Sequence, residues 1–338
     1  MAASADPALL AAPYEDEPRV IESGSSTGDR AFHGSARSIG MLVLVLTGSI
    51  GVFLGYQSIP TLRHYGWHFF TESQWVPSLD KVGISAVLLG TVEVALIALV
   101  ISFPLALLTA LYISEYAPAW LKGSLVSLVD LMAAVPPIIY GLWGFFLLQP
   151  HIIYLSRWLH EYLGFLPIFH VGTDAHAAVW AQSRYTSSAF IAGVAVSMMT
   201  IPLACAVMRG VFDLAPIGER EAALALGSTR WGMIRSVVLP FGRGGIIGGT
   251  MLALGRALGE TAAVLLIISP AYDLKIRVLE NGTQTTSALI AGNFGEATST
   301  QLSALLTAGF VLFCITLLVN TIAAIFVDRS RSGSSTEI

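Results

Sequence analysis

Two ionisable side chains four residues apart, Arg256 and Glu260, interrupt one of the long apolar stretches of the chain. A guanidinium offers a planar fork of donors suited to an oxyanion, and an ionised carboxylate accepts hydrogen bonds. Side by side they can attract an anion and select one that keeps a proton, because its O–H can donate to Glu260. A charge at bilayer depth is costly and by default marks function. Helical spacing puts Gly245, Gly249, Ala253, Arg256 and Glu260 on one stripe. The small residues of that stripe admit a neighbouring helix. Two readings stay open: a substrate path, or an ion pair that only locks a bundle.

Two further carboxylates lie in apolar runs. Glu93 sits at about the same depth in its stretch as Arg256 does, so a pair between them is geometrically possible. A lone protonated carboxyl in a helix interface is the alternative. Asp130 lies towards the opposite end of its own stretch, as a hydrogen-bonded structural group or as part of a path. His151, His160, His170 and His176 are scattered without metal-ligand spacing. The lysines are Lys81, Lys122 and Lys275, and none follows a glycine. The chain therefore has no phosphate-binding Walker loop and should not hydrolyse ATP itself.

The elements that must position these residues are membrane helices. The chain is 54% hydrophobic and 12% charged, and apolar runs of helix-spanning length recur. Six spans are expected, at about 38–56, 83–113, 124–149, 187–208, 240–268 and 301–327. Residues 1–37 read as a disordered cytoplasmic tail and 328–338 as a second tail. With both termini inside, eleven Lys and Arg fall in cytoplasmic segments against six outside, and Arg256 is intramembrane. That places Ser228 inside and Ser287 on an exposed outer segment. Residues 150–186, with Trp158, Tyr162 and Phe165, read as an external loop bearing a short surface helix. Cys205 and Cys314 each lie in an apolar run and read as packed thiols.

Between the fourth and fifth runs lies a polar loop, 209–239, whose core 219–240 is helix-prone. A short helix is expected over 217–226, stopped by Gly227 in a left-handed conformation, and a second over about 229–237, running to Pro240. Glu221, Ala222, Ala223, Gly227, Leu239 and Pro240 resemble the Glu-Ala-Ala loop of ABC importer permeases in identity and spacing, with Val237 at the family's Ile position. The resemblance implies that this loop docks into a cytoplasmic ATPase.

Two more segments narrow the resemblance. Pro136-Pro137-Ile-Ile-Tyr140-Gly141-Leu-Trp143-Gly144 is similar to the Pro-Ser-Ile-Val-Tyr-Gly-Leu-Trp-Gly segment of phosphate permeases, with Pro137 at the Ser position. Two prolines in mid-span also break the backbone ladder there. Gly255 to Val264 resembles the Gly-Arg-Ala-Leu-Gly-Glu-Thr-x-Ala-Val signature of PstC-type permease subunits. The resemblance implies an all-α, polytopic, MetI-like fold with five core spans and a peripheral first one, in a bacterial inner membrane. It implies phosphate import, with Arg256 and Glu260 needed for phosphate movement. It also implies a PstA-like second permease, a PstB-like ATPase dimer carrying the ATP-Mg, and a PstS-like phosphate-binding protein. Membrane lipid is a further partner, and nucleic acid is not expected. Alternatives are a permease for sulfate or molybdate, and a non-transporting regulatory membrane subunit.

Overall fold

A computed structural model of the chain describes residues 27–172, 176 and 179–330, with side chains only up to 327 at the C-terminal end. The tails expected over residues 1–26 and 331–338 lie outside the described residues. Residues 27–37, assigned to the disordered tail, are instead the first turns of α1 (Thr27–Tyr65). Asp29 in the first turn complements the N-terminal dipole.

The chain divides into two units, 1–50 and 51–338. In the first, every side chain from Thr27 to Ile50 is exposed. In the second, the end of α1 lies on α12 (Ser299–Ser330), where Thr61 and Ser303 share a 2.8 Å hydroxyl hydrogen bond. Among the described residues five helices are long and apolar enough to cross a membrane, or six if one bent pair counts as a single span. Apart from a two-stranded antiparallel hairpin, Trp75–Val76 with Lys81–Val82, the described elements are helical.

The core pairs α2 (Ser85–Leu111) with α6 (Ala189–Phe212). A Cβ on Gly193 would stand 2.6 Å from Cβ of Ile97, so glycine sets the separation of this pair. Ser197 and Thr200, buried in α6, donate their hydroxyls to carbonyls one turn back, so neither hydroxyl is left unpaired in the apolar surround.

The third span departs from the expected 124–149. α3 (Ala119–Ala134) stops at the double proline, and α4 (Pro137–Trp143) continues through a π-turn into α5 (Gln149–Leu163). The apolar rod of spanning length is Pro137–Leu163. The residue before a proline is driven out of the helical region, and here that applies twice: Val135 has ψ 128° and Pro136 ψ 139°. The Tyr140 hydroxyl reaches back across the break to the Met132 carbonyl at 2.8 Å. Trp158 and Tyr162 thus extend the same rod rather than forming a separate surface helix.

The fifth span is also discontinuous. Arg230–Phe241 and α9 (Arg243–Gly259) meet at 68° across Gly242. α9 ends at Gly259, and α10 (Ala262–Ile267) begins after two intervening residues, Glu260 and Thr261. An uninterrupted helix over 240–268 is therefore replaced by two pieces with an extended joint.

Candidate functional site

That joint holds Glu260, with Arg256 in the helical turn before it. Gly245, Gly249 and Ala253 form the expected buried stripe, with Gly245 against Val211 and Gly249 against the Ala204 carbonyl of α6. The stripe does not extend to the charged residues. Arg256 sits in the last turn of α9, exposed in the single chain, where a cation complements the C-terminal dipole. Glu260 has left the helix, with φ −67° and ψ 126°, and is 7% exposed. Its Oε1 accepts from the Ala263 N–H at 3.1 Å, satisfying a free donor at the start of α10. Its carbonyl accepts from the Ser287 hydroxyl at 2.7 Å. Among the described residues no ion pair joins Arg256 to Glu260. The four-residue spacing implied a shared face, and the broken helix removes that implication.

The joint is held by the double-proline rod. A Cβ on Gly141 would stand 2.8 Å from the Ala263 Cα, and one on Gly144 2.6 Å from the Ile267 side chain. The two segments that carried the phosphate-permease resemblance thus pack directly on each other.

Glu93 is 9% exposed in α2, and its Oε1 has no hydrogen-bond partner. Among the described residues it forms no ion pair with Arg256, so the pairing suggested by equal depth is not formed. It lines an apolar groove of ≈ 360 Å³ between α2, Phe169, Phe190 and the segment at Ile276 and Val278. Asp130 faces Arg209 of α6 at 3.8 Å, nearer the other end of the bundle. His160 is buried, its Nδ1 accepting from the Val171 N–H at 3.2 Å. Ser287, expected on an exposed segment, is buried beside Glu260 in α11 (Thr286–Asn293).

The polar loop forms as its residues dictate. α7 (Ile217–Ala225) ends in a reciprocal cap: Ser228 N–H donates to the Ala223 carbonyl and Gly227 N–H to that of Leu224. Gly227 has φ +85°, the left-handed value this cap requires. Thr229 caps α8 (Arg230–Met233) by accepting from the Gly232 N–H at 3.1 Å. Met233, Ile234 and Val238 are buried against Cys205, Met208 and Phe212. α7 itself buries no residue; Glu221 and Ala222 are exposed, as are Leu214, Ile217, Leu226 and Trp231 around them.

Two functional candidates escaped the sequence reading. Arg220, beside the recognised Glu221, makes a 3.1 Å ion pair with Glu115, whose side chain is 4% exposed. Glu115 lies just before Ala117-Pro118, and a lone carboxylate at the end of an apolar run beside that turn was the available signal.

The chain belongs to the family of binding-protein-dependent transport system inner membrane components, whose model matches residues 102–332. It is thus a multi-pass membrane permease component, not an enzyme. It is 38% identical over 290 residues to the phosphate transport system permease protein PstC of Xylella fastidiosa Temecula1, covering 86% of each chain. Against PstC 2 of Mycobacterium tuberculosis it is 37% identical over 312 residues, covering 90% of this chain and 94% of the relative. Solved structures share the fold at low identity. The inward-facing MetNI methionine ABC transporter aligns with TM-score 0.50 and 15% identity, over 76% of this chain and 99% of that one. A bacterial ABC transporter involved in alginate import aligns with TM-score 0.50 and 16% identity, over 88% and 99%. The MetI-like fold expected from the Glu-Ala-Ala loop is therefore the fold observed.

Proposed function

We propose that this chain is the PstC-like permease of an ATP-driven phosphate importer, lining the path together with a homologous PstA-like permease. A PstB-like ATPase dimer engages α7, and a PstS-like binding protein delivers phosphate from outside. The names of the relatives support the substrate, and the exposed apolar rim of α7 supports the docking. Both termini lie in the cytoplasm in this reading, following the eleven-to-six distribution of Lys and Arg.

The observation that carries the proposal is Arg256: a guanidinium in a membrane helix with no ionic partner among the described residues, exposed beside a helix break. A cation so placed needs an anion from outside the chain. Phosphate supplies it, and its P–OH can donate to the free oxygen of Glu260. Glu93 joins the path from the α2 side as a buried, unpaired carboxyl.

The test is uptake of labelled phosphate by proteoliposomes holding the whole complex, with and without excess sulfate. Arg256→Ala abolishes uptake while the complex still assembles, and Glu260→Gln loses rate or discrimination against sulfate. Wild-type transport by both variants would remove the pair from the path.

A further inference from the structure

α7 is attached to the body of the protein at very few points. It buries no residue, and only Ala223 and Arg220 are partly withdrawn from solvent. Ala223 leans on the buried cluster around Met208 and Phe212. Arg220 does more. Its Nη1 pairs with Glu115 Oε1 at 3.1 Å, and its Nη2 donates to the carbonyl of Phe212. Its side chain is 19% exposed and that of Glu115 4% exposed. Glu115 belongs to the π-turn that prolongs α2, and Phe212 is the last residue of α6. One side chain therefore ties the loop helix to the ends of both central helices.

The tie is extended by a balanced set of neighbours. The Ser114 hydroxyl lies 3.1 Å from both Glu115 Oε1 and Asp213 Oδ1. Lys122, in α3, holds the same Asp213 oxygen at 3.0 Å. Two carboxylates thus meet two cations. Glu115 and Arg220 are largely desolvated, and Asp213 and Lys122 are half-exposed. Breaking the largely buried pair by removing one partner is strongly unfavourable, because it strands a charge.

Resting on the reading of α7 as the ATPase-docking helix, we infer that Arg220 is the positioning residue that carries its movement to α2 and α6. Ala223 gives α7 a pivot, whereas the Arg220 fork fixes its direction through two bonds to two different helices. α2 and α6 touch at Gly193 and Ile97, so a pull on either is shared by both. Glu93 belongs to α2 itself and the buried stripe of α9 packs on the pair, so the displacement reaches the elements proposed to line the path.

The experiment uses the complete complex in proteoliposomes, with the binding protein, ATP and labelled inorganic phosphate. It reads phosphate transported per ATP hydrolysed. The variants are Arg220→Met, Glu115→Gln, and the exchange Arg220→Glu with Glu115→Arg; Glu221→Lys tests the docking reading separately. Arg220→Met and Glu115→Gln should co-purify with the ATPase at wild-type ratio and keep hydrolysis, while phosphate per ATP falls about tenfold. The exchange restores the ion pair and should recover part of that loss, whereas a purely structural role would lower assembly and hydrolysis together with transport. Wild-type coupling in Arg220→Met and Glu115→Gln overturns the inference. So does a loss from failed assembly that the exchange does not repair. If Glu221→Lys uncouples while Arg220→Met does not, the inference falls and the docking reading stands. If neither uncouples, the docking reading itself falls.

Discussion

Gly141 lies so close to Ala263 that a β-carbon on the glycine would stand 2.8 Å from the Ala263 Cα. The double-proline rod thereby buttresses the short helix that Glu260 caps. Gly141 lies in the helix after the proline break and Ala263 in the helix after the Glu260 break, so the two interrupted spans pack on each other just beyond their interruptions.

Gly141→Val should destabilise this contact by about 1–3 kcal/mol, since inserted methyls must push backbone rather than a flexible side chain. Gly123→Ala, with open space around it, is the control and should be neutral or better. Thermal unfolding in detergent compares them. Equal midpoints would mean that the two segments can separate without loss.

Arg256 and Glu260 should separate cleanly in stability. Glu260→Ala removes the acceptor for the Ala263 N–H and should cost about 1 kcal/mol, as a lost cap does. Glu260→Gln keeps an acceptor oxygen and should stay near wild type. Arg256→Ala removes only the favourable interaction with the C-terminal dipole of α9 and should lower stability by no more than about 0.3–1 kcal/mol. A large drop for Arg256→Ala would revive the locking ion pair.

At Gly227, φ +85° excludes a β-branched side chain at little cost to a glycine. Gly227→Val should cost about 1–3 kcal/mol of local strain and turn α7 away from α8. We expect the protein to insert, with ATPase association weakened or hydrolysis uncoupled from uptake. Gly227→Asn tolerates the left-handed region and should be milder. Normal coupling in the valine variant would show that the cap geometry is dispensable.

For topology, Ser228→Cys should resist an impermeant thiol reagent added outside whole cells, and Leu274→Cys should label. Both positions are exposed. Cys314, itself exposed, is replaced first together with Cys205. The opposite labelling pattern inverts the membrane orientation and removes the docking argument.

Glu93→Leu replaces a buried carboxyl that has an unpartnered oxygen with an apolar side chain of similar size. Relief of desolvation should raise stability by about 1–3 kcal/mol. If Glu93 serves the path, uptake falls while the midpoint rises. A stabler variant with unaltered uptake would make it a bystander.

The helical class, the membrane helices and the loop cap were legible because each rests on local chemistry. Apolar run length gives a span, and a glycine three residues past Leu224 gives a left-handed stop. The double-proline break was legible for the same reason, although its effect on the span's boundaries was not. The break at Glu260 was hidden. Gly259-Glu260-Thr261 contains no proline, and the joint depends on Ser287 and the rod at Gly141, both distant in sequence. Extrapolating helical spacing through Glu260 therefore misplaced its side chain. The Arg220–Glu115 tie was invisible for a similar reason, since nothing near either residue names its partner.

The hydrogen bond between Thr91 and Thr286 spans 195 positions, and the Thr286 N–H also donates to the Thr91 hydroxyl at 2.9 Å. During synthesis α2 leaves the ribosome long before α11 exists. Until then Thr91 has only the Val87 carbonyl one turn back, and Glu93 has neither α6 nor the segment at Ile276 and Val278 beside it. The nascent helix must therefore wait in lipid, or beside the insertion machinery, with a carboxyl it cannot yet bury in protein. Assembly of this bundle is closed from its C-terminal third, so truncations before Thr286 strand the second span however well it inserts.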